Sequence, residues 1–155
     1  MDHYQRILVG IDAVEIPTYT VFDEAKKMAA EHGATLIIAF VFDQKSYATL
    51  ERMDPRGIER MQTKASLYLE ACQQAAWAYG IEHVETVMDT GTPKKRLATD
   101  LAKRYQADLI VIGQSGGKWL ERLIFGHTSQ AIRRKAGCDV HVVQSNETAT
   151  SKAYQ

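Results

Sequence analysis

The chain has 155 residues, long enough for one domain with a packed core and short for two ordinary domains. Apolar residues make up 45% and charged residues 25% of the chain, both near globular averages, which argues against a disordered or fibrous class. Lysine plus arginine and aspartate plus glutamate both number 19, so we expect no nucleic-acid or membrane partner from net charge.

The compartment predicted from the sequence is the cytoplasm. The N-terminal stretch MDHYQRILVGID lacks the long apolar run of a signal peptide, and no stretch approaches the roughly 20 apolar residues that span a bilayer. The two cysteines, Cys72 and Cys138, indicate neither a disulfide framework nor a metal-binding pair.

Five short runs rich in β-branched residues predict strands. In chain order they are residues 6–11, 35–42, 83–88, 108–112 and 139–143. The first, second and fourth runs are continuously apolar, as expected of parallel strands covered on both faces.

Four helical segments are predicted between these strands from their apolar spacing. The first ends at Gly33, and the second runs over residues 58–79 and ends at Gly80. The third is entered through Pro93 and carries Leu97, Leu101 and Tyr105, and the fourth covers about residues 128–136. Residues 44–55 are predicted to be an irregular surface excursion. Residues 1–145 form the expected domain, and residues 146–155 a flexible tail.

Alternating strands and helices predict an α/β fold with a mostly parallel sheet and helices on both faces. In such sheets ligands bind beyond the carboxyl ends of the strands, where the strand order reverses. The pattern leaves the strand order open. With the order 3-2-1-4-5, the loops after the first and fourth strands flank one crevice.

The loop after the fourth strand is rich in glycine. Gly113, Gly116 and Gly126 follow Ile112, and Thr128 and Ser129 stand at the start of the fourth predicted helix. Glycine lets the backbone approach a ligand closely, and a helix start offers unpaired N–H groups. This combination favours phosphate as the ligand. The alternative is that the glycines form only a turn and that Thr128 or Ser129 only caps the helix.

The spacing Gly113-x2-Gly116-x9-Gly126 resembles the glycine pattern of the ATP-binding branch of the universal stress protein family. The strand that starts the chain and ends at Asp12, the strand ending near Val41, the 91–93 turn and the last strand also resemble the family, in the same order. The resemblance implies a sheet of order 3-2-1-4-5 with two helices on each face, the adenine nucleotide α-hydrolase-like fold.

The resemblance also implies roles for individual residues. Asp12 and Val41 match the adenosine end of an ATP site, and Gly113, Gly116 and Gly126 match the phosphate loop, preceded by Ile112 and followed by His127, Thr128 and Ser129. It further implies a divalent ion such as Mg²⁺ with the phosphates, and a homodimer paired through the last strand, residues 140–143. The function implied is that of an ATP-binding, dimeric regulator of the stress response.

Two positions depart from the family pattern. His127 stands directly after the third glycine, where the family usually has Ser or Thr, and Ala13 and Val14 follow Asp12, where the family often has Gly and Ser. A histidine can also donate to phosphate, although it is larger and pH-sensitive. The alternative function is therefore a universal stress protein that does not bind ATP and acts as an interaction scaffold.

An enzymatic alternative is a small serine hydrolase. Residues 113–117 match G-x-S-x-G with Ser115 as nucleophile, but Asp139 and His141 lie two apart on one predicted strand, a poor arrangement for base and orienting carboxylate. A Walker A loop is not matched, because Lys118 is followed by Trp119 and not by a hydroxyl residue. We therefore expect no efficient catalysis, at most a slow ATPase, and no catalytic residue.

Overall fold

The computed structural model describes residues 3–11, 16–91, 96–113 and 137–143. The strands in this part of the chain are β1 (Arg6–Ile11), β2 (Thr35–Asp43), β3 (Val84–Gly91), β4 (Leu109–Gly113) and β5 (Asp139–Val143). The helices are α1 (Ile16–His32), α2 (Gln44–Met53), α3 (Pro55–Tyr79) and α4, whose π-helical turns Arg96–Leu101 continue into the α-helical turn Ala102–Arg104.

The five strands form one sheet of order β3-β2-β1-β4-β5, and every neighbouring pair is parallel. The α/β class and the order 3-2-1-4-5 are confirmed. β1, β2 and β4 occupy the three inner positions. These are the three strands whose sequences are continuously apolar, because both faces of an inner strand are covered.

Alternate side chains of each strand enter two separate cores. On one face Ile7 and Val9 of β1 pack with α1 and α3, and on the other face Leu8 packs with α4. The predicted fourth helix, about residues 128–136, and the predicted tail lie outside the described residues. Of the expected two helices on each face, the structure places α1 and α3 on one face and α4 on the other.

Two predicted helix ends are confirmed at glycines. Gly33 follows α1 with φ +62°, and Gly80 follows α3 with φ +109°. Both angles lie in the left-handed region that glycine adopts without a steric penalty, so each glycine ends its helix.

The prediction of an irregular segment over residues 44–55 is wrong, because the chain forms α2 there and begins α3 at Pro55. None of the α2 residues is buried, and in this mostly polar helix the apolar residues Tyr47, Leu50 and Met53 recur at intervals of three. Tyr47 packs against the main core: its ring lies 6.0 Å from that of Phe42, and its hydroxyl accepts a hydrogen bond from Gln62.

Both cysteines are free thiols, as the sequence predicts. Burial raises the pKa of the Cys72 thiol to about 11, and burial together with the carboxylates of Asp139 and Asp108 raises that of Cys138 to about 11. In the described part of the chain, no helix is long and apolar enough to cross a bilayer.

Candidate functional site

The strand order places the carboxyl ends of β1 and β4 side by side. Within the sheet, β1 has β2 as its neighbour on one side and β4 as its neighbour on the other. The register that pairs Val9 with Val111 leads two residues further to Ile11 and Gly113, the last residues of the two strands. The two loops predicted to carry the site therefore start next to each other, at the switch point where such sheets bind ligands.

Val41 and Ile112 lie on the same face of the sheet, the face covered by α4. Both side chains are almost fully buried, with 4% and 5% of their surface exposed, and both belong to the core shared with α4. Val41 stands one residue beyond Phe40, which pairs with Ile11 at the end of β1. These two predicted site residues are therefore buried apolar side chains on the two strands that flank β1. Gly113, which follows Ile112 and ends β4, is partly exposed.

Gly10 allows α4 to lie directly against β1 just below this edge. A Cβ atom added at Gly10 would collide with the Cδ1 atom of Leu97, a buried side chain of α4. The absence of a side chain at Gly10 therefore fixes how closely α4 approaches the carboxyl end of β1.

A charged network connects the end of β3 to α4. Arg96 donates from Nε to Asp89 Oδ2 at 3.0 Å, and its Nη1 lies 3.2 Å from Asp100 Oδ2. Arg104 reaches the same Asp100 oxygen at 3.5 Å, and Asp89 pairs with Val41 in the strand register. The network therefore borders the predicted adenosine end of the site.

The electrostatics of Asp89 follow from two opposing effects. Burial raises the pKa of the carboxyl group, but the hydrogen bonds from Arg96 and from the Thr90 N–H, with the positive charges of Arg96 and Arg104, hold the pKa below its usual value. Asp89 accordingly remains a carboxylate and keeps Arg96 in place.

Sequence reasoning missed this network. The successive cations Lys94, Lys95 and Arg96 favour a solvated face when only the sequence is considered, whereas in the structure Arg96 is held between two carboxylates and its side chain is 40% exposed. The i, i+4 spacing of Arg96, Asp100 and Arg104 was the available signal. Lys94 and Lys95 lie outside the described residues.

The remaining predicted site residues lie outside the described residues: Asp12, Gly116, Gly126, His127, Thr128 and Ser129, as does the Ser115 of the hydrolase alternative. Across residues 3–11, 16–91, 96–113 and 137–143, no group of three or more His, Cys, Asp or Glu side chains could hold a metal ion.

A doubly wound parallel sheet with a switch point between β1 and β4 defines a class of α/β proteins that bind ligands at the carboxyl edge. Within that class, residues 3–144 match the model of the universal stress protein family. This chain belongs to that family.

Relatives and solved structures agree with this assignment. The chain is 33% identical over 144 residues to a putative universal stress protein of Staphylococcus haemolyticus, covering 93% of this chain and 87% of the relative. A putative universal stress protein of Staphylococcus aureus is 34% identical over 144 residues, which is 93% of this chain and 86% of the relative.

Among solved structures, the universal stress protein UspA from Lactobacillus plantarum superposes with a TM-score of 0.73 at 26% identity, covering 92% of this chain and 99% of that one. A universal stress protein in complex with cAMP superposes with a TM-score of 0.63 at 25% identity, covering 93% and 99% of the two chains. The fold is therefore that of the universal stress proteins.

Proposed function

We propose that this protein binds an adenine nucleotide, ATP with Mg²⁺, in the crevice between the carboxyl ends of β1 and β4, and acts in the cytoplasm as a dimeric regulator of the stress response. The observation that carries the proposal is the adjacency of those two strand ends, since each is followed in sequence by one of the two loops that match the family's ATP pattern. Asp12 follows β1, and the glycine loop follows β4.

The described residues suit the adenosine end of such a ligand. The side chains of Val41 and Ile112 are buried against α4, so Val41 is proposed to contact the adenine chiefly through its backbone at the end of β2. Gly113, the last residue of β4, carries no side chain, so the backbone there can approach a ligand closely.

The phosphate end of the proposal depends on sequence positions. Gly116 and Gly126 supply the two further glycines of the loop, and His127, Thr128 and Ser129 supply donors at the start of the predicted fourth helix. The solved relative in complex with cAMP supports an adenine nucleotide as the class of ligand.

The protein is proposed to respond to nucleotide and not to turn it over efficiently. The candidate base and orienting carboxylate of the hydrolase alternative, His141 and Asp139, lie two apart on β5, a poor arrangement for catalysis. Bound nucleotide would then change the loop that follows β4 and with it a partner surface, with at most slow hydrolysis.

The deciding experiment is mass spectrometry of small molecules released from the purified protein, followed by calorimetric titration with MgATP. We expect an adenine nucleotide in the released fraction and a saturable heat signal. Absence of nucleotide and of heat at about 1 mM ATP, a concentration that detects binding free energies near 4 kcal/mol, would support the scaffold function instead.

Two variants locate the site within the glycine loop. Gly126→Val should abolish MgATP binding, because the branched side chain would occupy the space in which the phosphate approaches the backbone. His127→Ser should keep or strengthen binding, since it restores the hydroxyl usual in the family. Unaltered affinity in Gly126→Val would place the nucleotide elsewhere, and complete loss in His127→Ser would make the imidazole a direct ligand.

A further inference from the structure

A second pocket opens at the amino ends of β1, β2 and β3, at the edge of the sheet opposite the proposed nucleotide site. It has a volume of about 480 Å³, and the residues around it include Arg6, Thr35, Trp77, Glu82, His83 and Glu85. β1 has six residues, so at about 3.3 Å per residue the two sites lie roughly 20 Å apart. The pocket is therefore separate from the nucleotide crevice.

The charges around the pocket favour a cation. Arg6 is already engaged, since its Nη2 lies 2.9 Å from Glu85 Oε2 and its Nε donates to the carbonyl oxygen of Tyr105. Glu82 has no cationic partner within ion-pair distance among the described residues. The guanidinium of Arg6 therefore pairs with Glu85, and the negative charge of Glu82 lines the pocket without a cationic partner in the described part of the chain.

Trp77 adds an aromatic wall to this charge. It lies in the last turns of α3, next to the fully buried Ala76, and 44% of its surface is exposed. The face of an indole ring carries negative electrostatic potential and attracts ammonium groups more strongly than any other side chain ring does. An exposed tryptophan and an uncompensated carboxylate therefore border the same cavity.

We propose that this pocket binds an organic ammonium group, with the nitrogen held by the Glu82 carboxylate and its methylene groups against Trp77. A free diamine and the side chain of a lysine on a partner protein offer the same chemistry. An inorganic cation is also attracted to the indole face by its charge, but it has no methylene groups that could pack against the ring.

The test follows the indole N–H of Trp77 in ¹H–¹⁵N spectra, assigned by its disappearance in Trp77→Phe. Titration with putrescine should shift this signal to saturation, whereas diacetylated putrescine, which is uncharged, should not. Glu82→Gln should weaken binding roughly tenfold, because the amide still accepts a hydrogen bond but no longer carries the charge that strengthens it. Glu51→Gln removes an exposed carboxylate of α2, which follows the carboxyl end of β2 at the opposite edge of the sheet, and should leave the affinity unchanged.

Two results would overturn the proposal. One is the lack of a saturable shift at about 10 mM amine, a concentration that detects binding of roughly 3 kcal/mol. The other is equal weakening by Glu82→Gln and Glu51→Gln, which would mean only diffuse attraction to a negative surface.

A parallel titration separates the two sources of the ammonium group. Saturation by Nα-acetyl-lysine amide at lower concentration than by putrescine assigns the pocket to a partner's lysine, and the reverse order assigns it to a free diamine. Either order supports an ammonium site. MgATP should alter neither affinity, so this result is independent of whether the nucleotide proposal holds.

Discussion

Gly10 is a position of close approach between β1 and the Leu97 side chain of α4. Gly10→Ala should destabilise the protein by about 1–3 kcal/mol, because the added methyl group must displace the buried Leu97 side chain from a packed core. The free energy of unfolding in urea measures the effect.

The control is the double variant Gly10→Ala with Leu97→Ala. Leu97→Ala alone leaves a cavity, and the new methyl group at Gly10 partly fills it, so the double variant should lose less stability than the sum of the two single variants. Strict additivity would show that the two residues are not in contact.

Asp89 has a pH-dependent effect on stability. Its folded-state pKa lies below the usual value, so its contribution is complete above the unfolded-state pKa near 3.9 and is lost as pH falls through the folded-state pKa. Asp89→Asn should therefore lower the urea midpoint modestly at neutral pH, and the difference from the parent should shrink below about pH 4.

Glu31→Gln is the matched control, since it removes an exposed carboxylate for which the described residues show no ion pair. Its urea midpoint should follow the parent's at all pH values. A difference for Asp89→Asn that stays constant down to pH 3 would indicate lost packing and not a lost ion pair. The partial exposure of Arg96 keeps the expected effect small.

At the scale of elements, α3 begins at a side-chain cap. Asp54 Oδ1 accepts a hydrogen bond from the Gly57 N–H at 3.1 Å, and Asp54 Oδ2 lies 3.0 Å from Arg60 Nη2. Asp54→Ala should cost about 1 kcal/mol because an N–H in the first turn loses its acceptor. Asp54→Asn keeps an acceptor oxygen and loses only the exposed ion pair, so its stability should stay close to that of the parent.

Thermal and urea unfolding of the two variants check this prediction. Equal losses in Asp54→Ala and Asp54→Asn would show that the charge, and not the cap, stabilises the start of α3.

Apolar runs in the sequence locate the strands of the sheet to within a few residues. The bounds of β1 and β5 were predicted without error, β2 extends one residue further, to Asp43, and β4 is shifted by one residue at both ends. β3, an edge strand with few buried positions, extends three residues beyond its predicted end, to Gly91. α2 was missed because it is short and mostly polar, and its apolar residues Tyr47, Leu50 and Met53 are too few to separate a helix from an irregular segment.

The site could be predicted only in part for a related reason. Glycine spacing and the apolar strands identify the edge of the sheet, and Val41, Ile112 and Gly113 do lie there. The Asp89–Arg96 contact joins β3 to α4, and in the sequence its two charges resemble any solvated pair. Such contacts depend on tertiary geometry, which residue periodicity does not encode.

At the scale of the whole molecule, the sheet ends in two edge strands. β3 forms one edge, where the Met88 side chain is 43% exposed. β5 forms the other edge, and most of its residues are partly exposed. A strand at a sheet edge presents unpaired N–H and C=O groups that another chain can pair with. The proposed homodimer uses the β5 edge, residues 140–143.

His141→Lys tests that assignment, because a fixed charge on this β5 side chain, which is 41% exposed, opposes pairing of two copies. We expect the mass measured by light scattering during size-exclusion chromatography to fall from that of a dimer to that of a monomer, with an unchanged circular dichroism spectrum. Met88→Lys places the same charge on β3, the opposite edge, and should remain dimeric. A monomeric parent protein, or a dimer that Met88→Lys dissociates and His141→Lys does not, would contradict pairing through β5.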